Sequence, residues 1–569
     1  MLPPVSCATA CSTVELTPPK GGYLSGWSSL GGRALNDPPA APEGEPYGRR
    51  GLYVTCMIVK GSSEQNTFYL ISLDLHSCSA PLLAAVTSHI VTAYSCLPSH
   101  IIMNGTHTHS GPGRYYGNKL YDAMTVAGHN LVWGFDKKMF DFLKGKVIEC
   151  VDDCHGKLEK GFFEMREGKV WGYSSNRSLS AHKRNPTYNT WLTDPSLPGY
   201  GGLEEKKRRG GKNYLNDEDL HVDPRLRAFI SKSDNSDLLG IIGSFSCHGT
   251  SNGPHIRHYD PDWFGDAKRM VNETLDFGKE EAIPVAVMQA CCGDICPMPH
   301  CGPFGECDDR GERPVNVGEE LKTVIGEGVG RELAQIVVAE DNHADLADAA
   351  EPAPSKTKSN KRKKQAEEKP SAKSARKKAK QSKPQRKFTV SGASEIWDVH
   401  SSFGARLSRA QFGIATIAGT ASGGNPALYK HLGMGFPSNT LPPSHPQHPK
   451  TPLPFPATTY VGWGAPKDIP LTVVLLCDSI YIATVPGEPT VATGAQIEKA
   501  IRAATSSDVK VIVLGFCGDY AGYWVTADEY DEQMYEGSSM LFGRQGVNVL
   551  TERLVALAKS AWGGSRIFG

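Results

Sequence analysis

Two histidines at i and i+2 follow a short apolar strand in Asn104-Gly-Thr-His107-Thr-His109-Ser-Gly-Pro-Gly113. Alternate residues of an extended chain point to one face, so this spacing offers two imidazoles to one site. One suits a metal ion and the other proton transfer beside it. The Gly-Pro-Gly that follows lets backbone approach a ligand closely. A second apolar strand ends the same way in Ser244-Phe-Ser-Cys-His248-Gly-Thr-Ser-Asn-Gly253. A third opens into Gln289-Ala-Cys-Cys-Gly293-Asp294-Ile-Cys296-Pro297, a segment able to present a carboxylate and a thiol to a cleft. In Thr484-Val-Pro-Gly-Glu488-Pro-Thr490 a carboxylate stands where a strand gives way to a helix, a place that a helix cap also favours. Tyr520-Ala-Gly-Tyr523 follows another buried strand, and Tyr535 lies in a helical pattern where tyrosines ordinarily pack.

Such side chains need elements that end at one place. Strands are expected at 52–59, 67–75, 100–104, 237–246, 284–289, 472–478, 480–485 and 509–516. Helices are expected at 81–94, 135–151, 262–277, 318–339, 491–503, 529–541 and 548–561. Alternation of this kind predicts an α/β architecture with mixed β-sheets flanked by helices, and ligands bind such sheets at the carboxyl ends of the strands. Residues 176–216 read as a long polar excursion.

The chain has 569 residues, with 61 Lys/Arg against 61 Asp/Glu. The zero balance hides a segregation. Residues 356–387 hold 15 Lys/Arg and two acids, which leaves 46 basic and 59 acidic residues elsewhere. That stretch has almost no large apolar residue and reads as a disordered basic insertion, 343–387, within one large catalytic domain formed by 1–342 and 388–569. It suits an acidic surface, and Lys361-Arg-Lys-Lys364 fits a nuclear import signal, while a plain solvated loop explains it equally. No apolar run is long enough to span a membrane. The first 16 residues do not read as a signal peptide, so a cytoplasmic location is expected, with secretion left open. The 15 cysteines do not form a disulfide framework, and Cys292-x3-Cys296-x4-Cys301-x5-Cys307 lacks the paired spacing of a zinc knuckle. Phosphate-loop and H-E-x-x-H motifs are absent.

In their order, GTHTHSGPG, NRS, CHGTSNG, GDICP, PGEPT and GYWVTADEYDEQMYEGSS resemble the neutral/alkaline non-lysosomal ceramidase family, and Glu15-Leu-Thr-Pro-Pro-Lys-Gly-Gly-Tyr23 is similar to the family's start. The resemblance implies a single zinc-hydrolase domain with one catalytic Zn²⁺ held by His107, His248, Glu488 and Tyr523. It places His109, Arg177 and Tyr535 around the scissile amide, with Asp294 and Cys296 in the neighbouring Gly-Asp-x-Cys-Pro segment. The implied reaction is zinc-assisted hydrolysis of ceramide to sphingosine and a fatty acid, with peripheral membrane contact to reach the lipid. Cys296 stands where the family has serine, and Pro489 where an aromatic or apolar residue is common. Cys301 and Cys307 resemble a family disulfide pair, and the family's C-terminal immunoglobulin-like domain has no counterpart in the sequence. These departures leave two alternatives open: a zinc hydrolase of the same fold acting on another N-acyl amide or ester, and a non-enzymatic homologue.

Overall fold

The computed structural model describes residues 2–18, 22–26, 33–34, 51–124, 134–186, 221–253, 256, 258–276, 282–297, 315–339, 386–417, 419, 437, 440–454 and 457–565. The first half contributes ten strands used below: β1 (Leu2–Glu15), β2 (Tyr53–Lys60), β3 (Thr67–Leu73), β4 (Ile101–Gly105), β5 (Glu159–Lys169), β6 (Ser174–Asn176), β7 (Arg225–Ser233), β8 (Leu238–Phe245), β9 (Val285–Gln289) and β10 (Ile295–Pro297). Eight of these form one mixed sheet in the order β9-β8-β7-β5-β1-β2-β3-β4. The second half adds β11 (Val390–Asp398), β12 (Asp468–Leu476), β13 (Ile480–Thr484), β14 (Glu488–Pro489), β15 (Lys510–Leu514) and β16 (Tyr523–Trp524). Here β11-β12-β13-β15 make a four-stranded sheet.

The two sheets meet face to face. Their shared core takes Met57, Leu70, Phe229 and Ile242 from the large sheet and Val474, Ile482, Ile512 and Leu514 from the small one. Helices cover both outer faces: α1 (Ala80–Tyr94), α2 (Lys137–Gly156), α3 (Trp263–Thr274) and α4 (Val315–Val338) on the large sheet, α5 (Val491–Ala504) and α8 (Gly546–Ser565) on the small one. The result is a helix–sheet–sheet–helix sandwich. Because both faces of each sheet are covered, strands such as β3 and β13 are buried along their whole length and read as continuous apolar runs.

This layering positions the site. The parallel pairs β3/β4, β8/β9 and β13/β15 each run into loops that carry the candidate residues, and these loops meet. Asn104, the fourth residue of β4, knots the loop bases together: its amide donates to Gln289 O at 3.1 Å and Gly515 O at 2.7 Å, and it accepts from Gln289 N.

Two differences from the sequence reading bear on function. The helix expected over 529–541 is two short helices, α6 (Ala527–Asp531) and α7 (Tyr535–Ser539). Gln533 takes a φ of +49°, which ends α6 and reverses the chain, and Met534 is extended before α7. Strands β1, β5, β7 and β11 were not expected. Of the long excursion, residues 187–216 lie outside the described residues, as do Lys361–Lys364, Cys301, Cys307 and all of 343–387 except Arg386 and Lys387. Arg386 O accepts from Ser6 N at 2.9 Å, so the chain re-enters along β1. The described cysteines are all free thiols, and no described helix is long and apolar enough to cross a membrane.

Candidate metal centre

His107 and His248 sit just past the ends of β4 and β8 and are buried. Their loops are zipped together by a bridge between Thr108 and Gly249 and by His109 N donating to Gly249 O at 3.2 Å. The approach needs glycine: a Cβ on Gly249 would stand 2.6 Å from His107 O. His107 itself has a φ of +64°, a left-handed backbone uncommon for a non-glycine residue.

Hydrogen bonds fix the imidazole tautomers. His107 Nδ1 lies 2.9 Å from His76 O, and His248 Nδ1 lies 2.8 Å from Ile295 O. A carbonyl only accepts, so each Nδ1 carries a proton, and in the neutral ring the lone pair then lies on Nε2. Both Nε2 atoms face Glu488 Oε2, at 3.6 Å from His107 and 3.0 Å from His248. Two imidazole nitrogens and a carboxylate oxygen therefore converge in a buried place. Burial first, then the neighbouring His76, His109 and His248, hold the His107 pKa well below the usual imidazole range, so it is neutral. Burial alone would raise Glu488, but His248, Arg177 and Tyr520 outweigh it and keep its carboxyl below the ordinary value. Two imidazoles and a carboxylate, with backbone carbonyls orienting the rings from behind, are the donor set of a divalent transition metal. The fit is good, because apart from a cation only a proton can relieve the facing lone pairs.

Glu488 and Tyr523 are register partners in the parallel pair β14–β16, which sets their side chains side by side. Tyr523 Oη accepts from Arg177 Nη2 at 3.1 Å. Burial and then Glu488 push the Tyr523 phenol up, and Arg177 pulls it back. Arg177 follows β6 and is held by Glu536 Oε1 at 2.8 Å and Gly293 O at 2.7 Å. Its guanidinium lies 5.7 Å from the ring centre of Tyr535, the first residue of α7. Tyr535 is half-buried, and burial pushes its phenol up to about 12. The break between α6 and α7 is what brings this ring to within 5.4 Å of Tyr523. His109, half-buried, has Nε2 3.1 Å from His107 Nε2, and with the His107 tautomer fixed His109 is the donor.

Asp294 and Cys296 lie in the wall beside this cluster. Asp294 Oδ1 accepts from Val491 N at 2.9 Å, at the start of α5, and Oδ2 from Asn176 Nδ2 at 2.7 Å. Cys296 is in β10 against β6, and its thiol lies 3.5 Å from Ser175 O. Next to Asp294, His182 Nδ1 stands 3.6 Å from Asp294 Oδ2 and 3.7 Å from Glu529 Oε1. Burial alone would lower its pKa, but the two carboxylates outweigh that and raise it to about 9.

Four residues of this network were not singled out by the sequence reading. They are His76, whose carbonyl orients His107; Glu536, which holds Arg177; His182; and Tyr520, whose hydroxyl donates to Glu488 Oε1. For Tyr520 and Glu536 a signal existed, since each neighbours a candidate in the same motif. His76 had only its place beyond a strand end.

Fold and site define a mixed α/β protein with a candidate metal centre at the carboxyl ends of its strands. The sequence profile of the neutral/alkaline non-lysosomal ceramidase N-terminal region matches residues 48–197 and 202–552, and the chain belongs to that family. It is 24% identical over 485 residues to a neutral ceramidase of Mycobacterium tuberculosis, covering 81% of this chain and 63% of the relative. It is 23% identical over 471 residues to a neutral ceramidase of Pseudomonas aeruginosa, covering 78% and 57%. The crystal structure of a neutral ceramidase from Pseudomonas aeruginosa shares the fold, with a TM-score of 0.64 and 19% identity over 98% of this chain and 74% of that one. A ceramidase complexed with C2 gives a TM-score of 0.66 at 20% identity, over 98% and 75%. The chain spans roughly three fifths of the length of the first curated relatives, 63% and 61%.

Proposed function

We propose that this protein is a zinc-dependent amide hydrolase that cleaves ceramide to sphingosine and a fatty acid. The observation that carries the reading is the meeting of His107 Nε2, His248 Nε2 and Glu488 Oε2 at one buried point, with Tyr523 alongside. Those four residues would hold the ion. Zinc there supplies a Lewis acid and a water acidified towards neutral pH. The chain's own groups do the rest. His109, whose Nε2 lies 3.1 Å from His107 Nε2, stands beside the metal donors, where its imidazole can carry the proton that the amide nitrogen takes as it becomes an amine. Arg177, fixed by Glu536 and Gly293, and the Tyr535 hydroxyl supply donors to the charge that grows on the carbonyl oxygen. Membership of a family whose curated relatives are neutral ceramidases supports the substrate.

The test is metal content measured together with folding. His107→Ala is expected to lose bound zinc and hydrolysis while keeping the far-UV circular dichroism of the parent. A folded His107→Ala protein that retains full hydrolysis would refute the assignment.

A further inference from the structure

Glu488 has two carboxylate oxygens, and the protein treats them differently. Oε2 faces the two imidazole Nε2 atoms, 3.0 Å from that of His248 and 3.6 Å from that of His107. Oε1 accepts a hydrogen bond from Tyr520 Oη, and both residues are buried. Tyr520 is placed by several independent constraints. Its backbone is pinned next to the Glu488 segment, because Ala521 N donates to Pro486 O at 3.2 Å and Glu488 N donates to Gly522 O at 2.9 Å. On the other side Ser77 Oγ donates to Asp519 O at 3.3 Å. Its ring is wedged edge-on against His76, centroids 4.8 Å apart, and against Tyr121, 4.5 Å apart. The hydroxyl therefore has little freedom except towards Oε1. The two tyrosines of the Tyr-Ala-Gly-Tyr turn have separate tasks: Tyr523 stands beside Glu488 and accepts from Arg177, whereas Tyr520 approaches the carboxylate oxygen that points away from the imidazoles.

We propose that Tyr520 is a positioning residue that occupies Oε1 and so leaves Oε2 as the one oxygen Glu488 offers to a metal. A carboxylate free to offer both oxygens would take up a position that a catalytic site must keep open for water and substrate. Outer partners of ligating carboxylates set both orientation and affinity. This inference rests on the zinc reading above and adds to it the residue that shapes the carboxylate.

The experiment compares the full-length wild type with Tyr520→Phe and Tyr121→Phe. Tyr121 packs on the Tyr520 ring, but its hydroxyl has no hydrogen-bond partner among the described residues, so its loss controls for packing. Zinc affinity is measured by competition with a chromophoric chelator, and the visible spectrum of the cobalt-substituted proteins reports coordination. Tyr520→Phe should bind zinc roughly 10- to 100-fold more weakly and change the cobalt bands. Its metal-free melting temperature should match that of Tyr121→Phe, and Tyr121→Phe should bind like wild type. Equal affinity in wild type and Tyr520→Phe would overturn the inference while leaving the zinc reading intact, and so would an equal weakening in Tyr121→Phe. A wild-type protein that binds no zinc would overturn both.

Discussion

His182 is the cation between two buried carboxylates, and its removal has a calculable signature. An unperturbed imidazole titrates near 6.5, and in the fold this one is raised to about 9 by Asp294 and Glu529 against the pull of burial. Each pKa unit corresponds to about 1.36 kcal/mol, so the protonated ring stabilises the native state by roughly 3 kcal/mol. The folded pKa is the higher one, so this stability is fully present below about pH 6.5 and is lost as pH rises to about 9. Substitution by Gln keeps a hydrogen-bonding side chain but removes the titration. Urea unfolding of wild type and His182→Gln at about pH 6 and about pH 9.5 isolates the effect, because other titrating groups cancel between the two proteins. Wild type should lose about 3 kcal/mol more than His182→Gln over that interval. Parallel pH profiles would show that the ring does not carry the charge inferred from its 3.6 and 3.7 Å approaches. The effect should reach the site, because Asp294 holds the start of α5 three residues from Glu488 and Glu529 accepts from Thr490 Oγ1 at 2.7 Å.

Gly249→Ala places a methyl 2.6 Å from His107 O, and should cost about 1–3 kcal/mol in thermal or urea unfolding and weaken zinc binding with it. Arg177→Met should lower kcat by roughly 10²–10³ with a smaller change in KM, because the guanidinium serves charge that develops during reaction; steady-state kinetics decides. Cys296→Ala should keep its zinc and most of its hydrolysis, since the thiol faces Ser175 O; abolished turnover with zinc still bound would make the sulfur a reacting group. Deleting 356–387, with its 15 Lys/Arg, should abolish salt-sensitive binding to anionic vesicles, and unchanged binding would remove that role.

Much of the site was legible because chemistry and punctuation coincide in it. His107, His248 and Glu488 each follow a buried apolar strand and lie close to glycines in the chain, which is what a strand-end loop that approaches a ligand requires. What could not be read was long-range pairing. Nothing local says that Tyr520 reaches Glu488, 32 residues away, or that Arg177 reaches Glu536, 359 residues away. β1 was missed for a physical reason. It runs between β5 and β2 with prolines at 3 and 4, a register shift between Leu2 and Val5, and small residues in place of an alternating pattern. β11 escaped because its mid-strand glycine and mostly half-buried residues give no continuous apolar run. The single helix expected over 529–541 failed at Gln533, whose left-handed backbone is a tertiary choice that the helical spacing does not reveal.

The most direct test of the account is hydrolysis of a long-chain ceramide by protein stripped of metal with a chelator and then given one equivalent of zinc. The account predicts loss of hydrolysis on stripping and its return with the zinc. Undiminished hydrolysis by the metal-free protein would contradict it.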